Sequence, residues 1–311
     1  MGYALVDNWI VMALIATGAW ALSCVVDVCF VGNGVYRKAS DGPLVAGLFC
    51  LVPALLTGMT LQVDTIGLRV FVVSALSAVA FLMHVHFYFK ALFSLNDAVN
   101  AEIFNTLGIL VVPILAFLLL GERLALLNYV AIVVAAAGIL ILVRSQVSRM
   151  SRLTIAYLIA SVISVSLMMV MQAWALAQTS YTSVVFVFSS AAFIAVLVLF
   201  AARRGDQRRV ARMCRRFGGL FVLLQLLEIG AVLASQRATD LGPSVSLVAL
   251  LECSLPVFVM AFSWLFAVAA RQWSSRRAMA LRSALSLQTT AAPPKLISML
   301  MIVLAIVLIQ A

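Results

Sequence analysis

Apolar residues run in long blocks along this chain, and polar residues gather between them. Ten blocks fall at roughly 9–32, 44–61, 66–91, 97–120, 124–143, 153–177, 182–202, 217–237, 243–268 and 295–310. Most are near the ~20 residues a membrane-crossing helix needs. Each predicts an α-helix, because lipid offers no water to satisfy an open backbone. The first block, Trp9 to Val31, is too long for a signal-peptide core and has no basic stretch before it. It therefore predicts a spanning helix that is retained. Arg69 and Lys90 lie near the two ends of the third block, where both can snorkel to the membrane surface.

The blocks fall into two sets. Five precede the basic linker from Arg144 to Arg152 and five follow it, which divides the chain into repeats at 1–146 and 147–311. Ser246 to Phe266 echoes Ile103 to Leu120, with Pro256 answering Pro113. The hinge Gly121-Glu122-Arg123 has no counterpart in the second set; a longer insertion, Arg271 to Pro294, stands there and predicts a basic surface loop. An odd number of spans per half gives the halves opposite orientations. The predicted fold is thus an all-α polytopic membrane protein of ten transmembrane helices in two inverted five-helix repeats.

Composition agrees. The chain is 65% hydrophobic and 10% charged, with a mean hydropathy of +1.17. A soluble domain is nearer half apolar and a quarter charged. The net charge of +10 could suggest nucleic acid, but the basic residues cluster between the apolar blocks. That is the pattern of loops that orient a membrane protein on anionic lipid, so nucleic acid is not an expected partner. Seventeen of the 21 Lys and Arg lie on the linker or on the loops after spans one, five, seven and nine; Arg69, Lys90, Arg123 and Arg237 are assigned to the opposite side. The positive-inside rule then puts both termini outside the cytoplasm. Five scattered cysteines show no disulfide or metal spacing.

Residues 101–143 carry a family resemblance. A helix with a central proline, Pro113, runs into Gly121-Glu122-Arg123-Leu124, and an Ala/Gly-rich helix bearing Gly138 follows. This resembles the EamA domain of the drug/metabolite transporter superfamily. Trp20 followed seven residues later by Asp27 resembles a subset of bacterial members. The resemblance implies a five-plus-five helix fold whose cavity is lined by helices one to four and six to nine, with helices five and ten packed at the side. It also implies a bacterial inner membrane, and many relatives are thought to keep both termini in the cytoplasm, against the charge bias.

Ionisable groups at membrane depth are costly unless they face a cavity or a partner, which makes them functional candidates. Glu252, near the middle of the ninth span, and Glu228, mid-eighth span, lead; Gln225 shares a face with Glu228. Burial disfavours the charged form of such a carboxyl, so it can exchange a proton for a substrate. Asp27 either lines the cavity or caps a helix break before Gly32. Asn105 either binds substrate or glues helices; Glu102, on the same face, fits the headgroup level. His84 either relays protons or is a satisfied structural histidine, and His86, about 200° around the helix, cannot share a metal with it. Trp174 either lines the cavity or belongs to the interfacial aromatic belt. Pro113 and Pro256 are candidate hinges. Glu122 reads as fold-keeping, held by Arg123 or a helix N-terminus. The small residues Ala131, Ala135, Ala136, Ala137 and Gly138 allow close helix contact, within the monomer or in a homodimer.

No phosphate loop, zinc motif or nucleophile elbow is present, so neither an enzyme nor a cofactor or metal is expected. The expected activity is secondary active transport of a small organic metabolite, cationic or zwitterionic, by alternating access and coupled to protons. A lipid or lipid-linked-sugar flippase of the same fold and a non-transporting sensor or assembly protein are the alternatives. The bilayer and a small solute are the expected partners, for a monomer or homodimer.

Overall fold

The computed structural model describes residues 8–32, 35–60, 66–95, 98–147, 150–270 and 293–309, and among them every regular element is helical. In chain order these are α1 (Trp9–Gly32), α2 (Asp41–Phe49), α3 (Leu51–Thr60), α4 (Leu68–Leu95), α5 (Ala98–Asn105), α6 (Gly108–Leu120) and α7 (Leu126–Val147). Then come α8 (Arg152–Leu176), α9 (Tyr181–Ala202), α10 (Arg204–Leu241), α11 (Val245–Glu252), α12 (Leu255–Ala270) and α13 (Pro293–Leu308). Among the described residues, seven helical stretches are long and apolar enough to cross a membrane; three shorter apolar helices, Gly108–Leu120, Leu126–Ile141 and Ile297–Leu308, stand within the remaining blocks. The chain is a polytopic helical membrane protein.

Burial follows the solvent such a protein meets. Large apolar side chains such as Leu118, Leu126, Leu300 and Met59 are exposed, while Ser74, Ser77, Ser161 and Gln236 are buried between helices. With lipid as apolar as leucine, helices gain little by hiding leucine; they gain by close packing and by pairing polar groups.

Two blocks read as continuous spans are broken at mid-length. The fourth divides into α5 and α6, and the ninth into α11 and α12. Each break is a tightened turn: Leu107 N–H donates to the Phe104 carbonyl and Ile109 N–H to Thr106, as Ser254 N–H does to Leu251 and Val257 N–H to Ser254. Bonds across three residues instead of four are the 3₁₀ pattern. The second block breaks too, at Cys50, between α2 and α3.

Packing joins the halves. α4 lies along α8 and α10 along α1; α9 covers α2 and α3; α6 meets α8, and α12 meets α1; α7 packs on α13. In the last pair a Cβ at Gly138 would come within 2.9 Å of Met301 Cβ and 3.2 Å of the Ser298 carbonyl. The small-residue stripe of α7 therefore serves a contact inside the chain.

Three expectations change. Residues 203–216 do not form a loop: α10 begins at Arg204 and bends at Gly218, whose φ of 55° is left-handed and favours glycine. Lys90 does not lie on the side opposite the basic loops. Its ammonium sits 4.8 Å from the centroid of the Tyr157 ring, near the start of α8, so it joins the basic end of the bundle. Pro293 and Pro294 open α13, where a missing N–H costs no helical bond. The rest of the 271–294 insertion, with Asn96 and Asp97, lies outside the described residues.

Candidate functional site

A cavity of about 120 Å³ lies between α1, α4, α5, α6, α8, α10, α11 and α12. Four carboxyls line it: Asp27 from α1, Glu102 from α5, Glu228 from α10 and Glu252 from α11. Among the described residues, no Lys or Arg lines it. His84, Asn105, Trp20 and Tyr88 share the wall with apolar Phe81, Val85, Ile109, Val112 and Met168.

Glu102 was placed by sequence at the headgroup level, and the structure corrects this. It is only 3% exposed and takes part in the cavity. The fourth span is not one straight rod; α5 is a short internal helix of eight residues, and it carries Glu102 against α1. There Glu102 accepts the Cys24 thiol at 3.1 Å and the Asn105 side-chain amide at 3.3 Å. Asn105 in turn accepts the Ser161 hydroxyl at 3.0 Å, and Ser161 Oγ lies 2.9 Å from His84 Nδ1. One polar chain thus links α1, α5, α8 and α4. Its histidine tautomer follows from chemistry. His84 Nδ1 is also 3.2 Å from the Ser161 carbonyl, which can only accept. Nδ1 is therefore the protonated nitrogen, and in the neutral ring Nε2 is left as an acceptor.

α10 sets a second line of contacts along one face. Gln225 donates to the Tyr36 hydroxyl at 3.2 Å, Glu228 enters the cavity one turn later, and Ser235 donates to Glu252 at 2.6 Å. Spacings of three and seven keep these residues on one side of a helix. Gln225 does not line the cavity; it braces Tyr36. Trp174 is half-buried near the end of α8 and does not line the cavity either; Trp20 does. His86 is likewise outside it. Asp27 lies within α1 and 6% exposed at the cavity wall, which answers the choice between lining and capping.

The prolines are not matched relative to the breaks. Pro113 lies inside α6, five residues past its start, whereas Pro256 is in the first turn of α12. Lacking an N–H, Pro256 cannot bond the Glu252 carbonyl four residues back, which accounts for the break at Cys253-Ser254. The two breaks touch: Cys253 Sγ lies 3.5 Å from the Thr106 carbonyl.

Two layers of contacts lie on the basic side of the cavity. Phe89, part of the cavity wall, meets Tyr36 edge-on with centroids 4.9 Å apart. Tyr36 and Phe221 in turn contact Phe30, and Phe49 contacts Phe221. Beyond these rings Arg209 bridges α10 to the start of α2, with Nε 2.6 Å from Asp41 and Nη1 2.9 Å from Asp206. Asp41 is fully buried and also accepts the Arg37 and Lys38 backbone N–H groups at 2.9 and 3.0 Å. At the other end, Gly121 ends α6 in the left-handed conformation, and the next residue, Glu122, reaches across the halves. Glu122 accepts the Ser244 hydroxyl at 2.7 Å and the Val245 N–H at 3.2 Å, at the N-terminus of α11. A carboxylate at the positive end of a helix is a favourable arrangement, in keeping with the fold-keeping expectation.

Neither a family model nor a curated protein matches this chain. The likeness is to solved structures. One crystal structure is 17% identical, covers 89% of this chain and 94% of its own, and superposes with a TM-score of 0.56. At that identity the likeness concerns the fold alone.

Proposed function

We propose that this protein is a secondary active transporter of the drug/metabolite type. It moves a small cationic or zwitterionic organic solute by rocking two inverted five-helix halves about the central cavity. One observation carries the reading: four buried carboxyls, drawn from both halves of the chain, line one cavity whose wall, among the described residues, has no Lys or Arg. Unpaired buried carboxylates are too costly to keep charged, so they must meet protons or a cationic ligand.

The packing pattern supports the inverted halves. If span one answers span six and span three answers span eight, the pair α4–α8 maps onto α10–α1. The pair α6–α8 maps likewise onto α12–α1, and α7–α13 onto itself. The broken helices α5–α6 and α11–α12 exchange under the same relation. The EamA resemblance of residues 101–143 points the same way. The two layers of contacts on the basic side fit a carrier whose cytoplasmic exit is shut while the cavity is formed. A proton gradient or the solute's own gradient drives the cycle.

The test is flux in proteoliposomes with an imposed proton gradient, using pooled amines and amino acids. The wild type is expected to move a member of the pool, and Glu228→Gln and Glu252→Gln to abolish or uncouple that movement while melting as the wild type does. Full flux from both variants would overturn the role of the carboxyls. A folded wild type that moves no solute would overturn transport.

A further inference from the structure

The four carboxyls reach the cavity from four different helices. Glu102 is tied through Cys24 to α1, the helix that carries Asp27, and through Asn105 and Ser161 to His84. Glu252 is held by Ser235, which lies seven residues from Glu228 on α10, about 10 Å along a straight helix. Between the poles the broken helices touch at Cys253 and Thr106. The wall near them is apolar, with Phe81, Val85, Ile109 and Val112.

The lining is also biased in hydrogen-bonding character. The carboxylates accept only, and His84, with its proton on Nδ1, offers Nε2 as an acceptor. The hydroxyls of Ser166 and Tyr88, buried at the cavity wall, have no partner among the described residues and can donate as well as accept. Among those residues, no three His, Cys, Asp or Glu side chains converge to hold a metal ion. A ligand that answers the carboxylates and His84 carries N–H donors and positive charge at two points, and has an apolar middle. A quaternary ammonium has the charge but no N–H to give. A monoamine answers one pole and leaves the other to protons.

We propose that the cavity takes a primary α,ω-diamine, one ammonium among Asp27, Glu102 and Glu228 beside His84, the other at Glu252. The inference rests on reading this cavity as the transport site. The methylene chain packs on the apolar wall, and each ammonium makes charge-assisted hydrogen bonds that a neutral or methylated group cannot.

The experiment is calorimetric titration of the purified full-length protein with 1,4-diaminobutane and with 1-aminobutane, at one pH where both are fully charged. The diamine is expected to bind roughly tenfold tighter or more, as one further hydrogen-bonded charge pair implies. Glu252→Gln removes one pole, so the diamine-to-monoamine ratio is expected to fall toward unity. Equal binding of the two amines to the wild type overturns the proposal, as does a ratio unchanged in Glu252→Gln. Absence of binding by either amine to a cooperatively melting protein overturns it as well. Should Glu252→Gln fail to fold, the wild-type ratio decides. Flux of the same amines in proteoliposomes separates the two readings. A preferred diamine that is bound but never moved leaves the ligand class standing and removes transport. Flux of other solutes, with no diamine preference, does the reverse.

Discussion

The broken helices α5–α6 and α11–α12 break at similar turns and brace them differently. α5–α6 carries Glu102 one turn before its break, and the carboxyl is engaged by Cys24 and Asn105 in a network spanning four helices. α11–α12 carries Glu252 at the break itself, next to a carbonyl that Pro256 leaves without its helical donor, with Ser235 as the donor to its side chain. A carboxylate with several fixed donors is positioned; one with a single flexible donor is free to change partners. Under the proposed function, that difference makes Glu102 the carboxyl that also holds the shape of the cavity and Glu252 the one that changes partners most readily.

The sharpest way to break that comparison is to neutralise each carboxyl. Glu252→Gln is expected to lower flux by ~10- to 150-fold, the worth of a hydrogen bond to a charged group at ~1.5–3 kcal/mol. Melting should change little. Glu102→Gln is expected to lower the melting temperature as well, because the Cys24 and Asn105 donors lose a charged acceptor. Equal melting losses in the two variants would erase the distinction.

Asn105→Ala tests the network by cutting it in the middle. It leaves Glu102 and Ser161 short of a partner, at a cost of ~1–3 kcal/mol for a buried group left unsatisfied. Thermal or denaturant unfolding measures the loss, and a neutral result would mean the network carries no stability.

Glu122→Ala tests how the first broken helix braces the second. Removing the carboxylate from the start of α11 is expected to cost about 1 kcal/mol, as loss of a cap does, with flux retained. Loss of flux without loss of stability would move Glu122 into the transport cycle.

The smallest effects concern turnover and access. Pro256→Ala restores an N–H that can bond the Glu252 carbonyl and is expected to slow turnover more than it weakens apparent affinity; Pro113→Ala, away from its break, is expected to do less. Equal losses in affinity would count against hinging. Arg209→Gln unlatches α10 from Asp41 and is expected to raise labelling of Cys24, a cavity residue, by a thiol reagent applied from the basic side. Native Cys214, on the basic part of α10, is expected to resist impermeant reagents in intact cells if that side faces the cytoplasm.

Much of the site could be read in advance from one rule, that a charge at membrane depth needs a reason. That rule singled out Asp27, Glu228, Glu252, His84 and Asn105, and all five meet in one cavity. It misjudged Glu102, because depth was counted along an unbroken helix. The signal that could have corrected it was its spacing of three from Asn105. Trp174, weighed between the cavity and the aromatic belt, does not line the cavity, whereas Trp20, noted for its spacing from Asp27, does; linear spacing does not say which face of α8 turns inward. Gln225 shares a helical face with Glu228, but one turn along that face the wall is already the aromatic layer around Tyr36.

The sequence by itself determined the solvent and the class of fold. Long apolar blocks can satisfy their backbone in lipid only as helices, and basic residues between blocks collect at one end. Tertiary structure alone decided where the helices break, which carboxyls meet, and which contacts lie on the basic side. Those outcomes depend on contacts between residues far apart in the chain: Cys24 with Glu102, Arg209 with Asp41, Glu122 with Ser244. In a medium that gives no hydrogen bonds, each polar group settles wherever another helix offers a partner, and no local pattern names that partner.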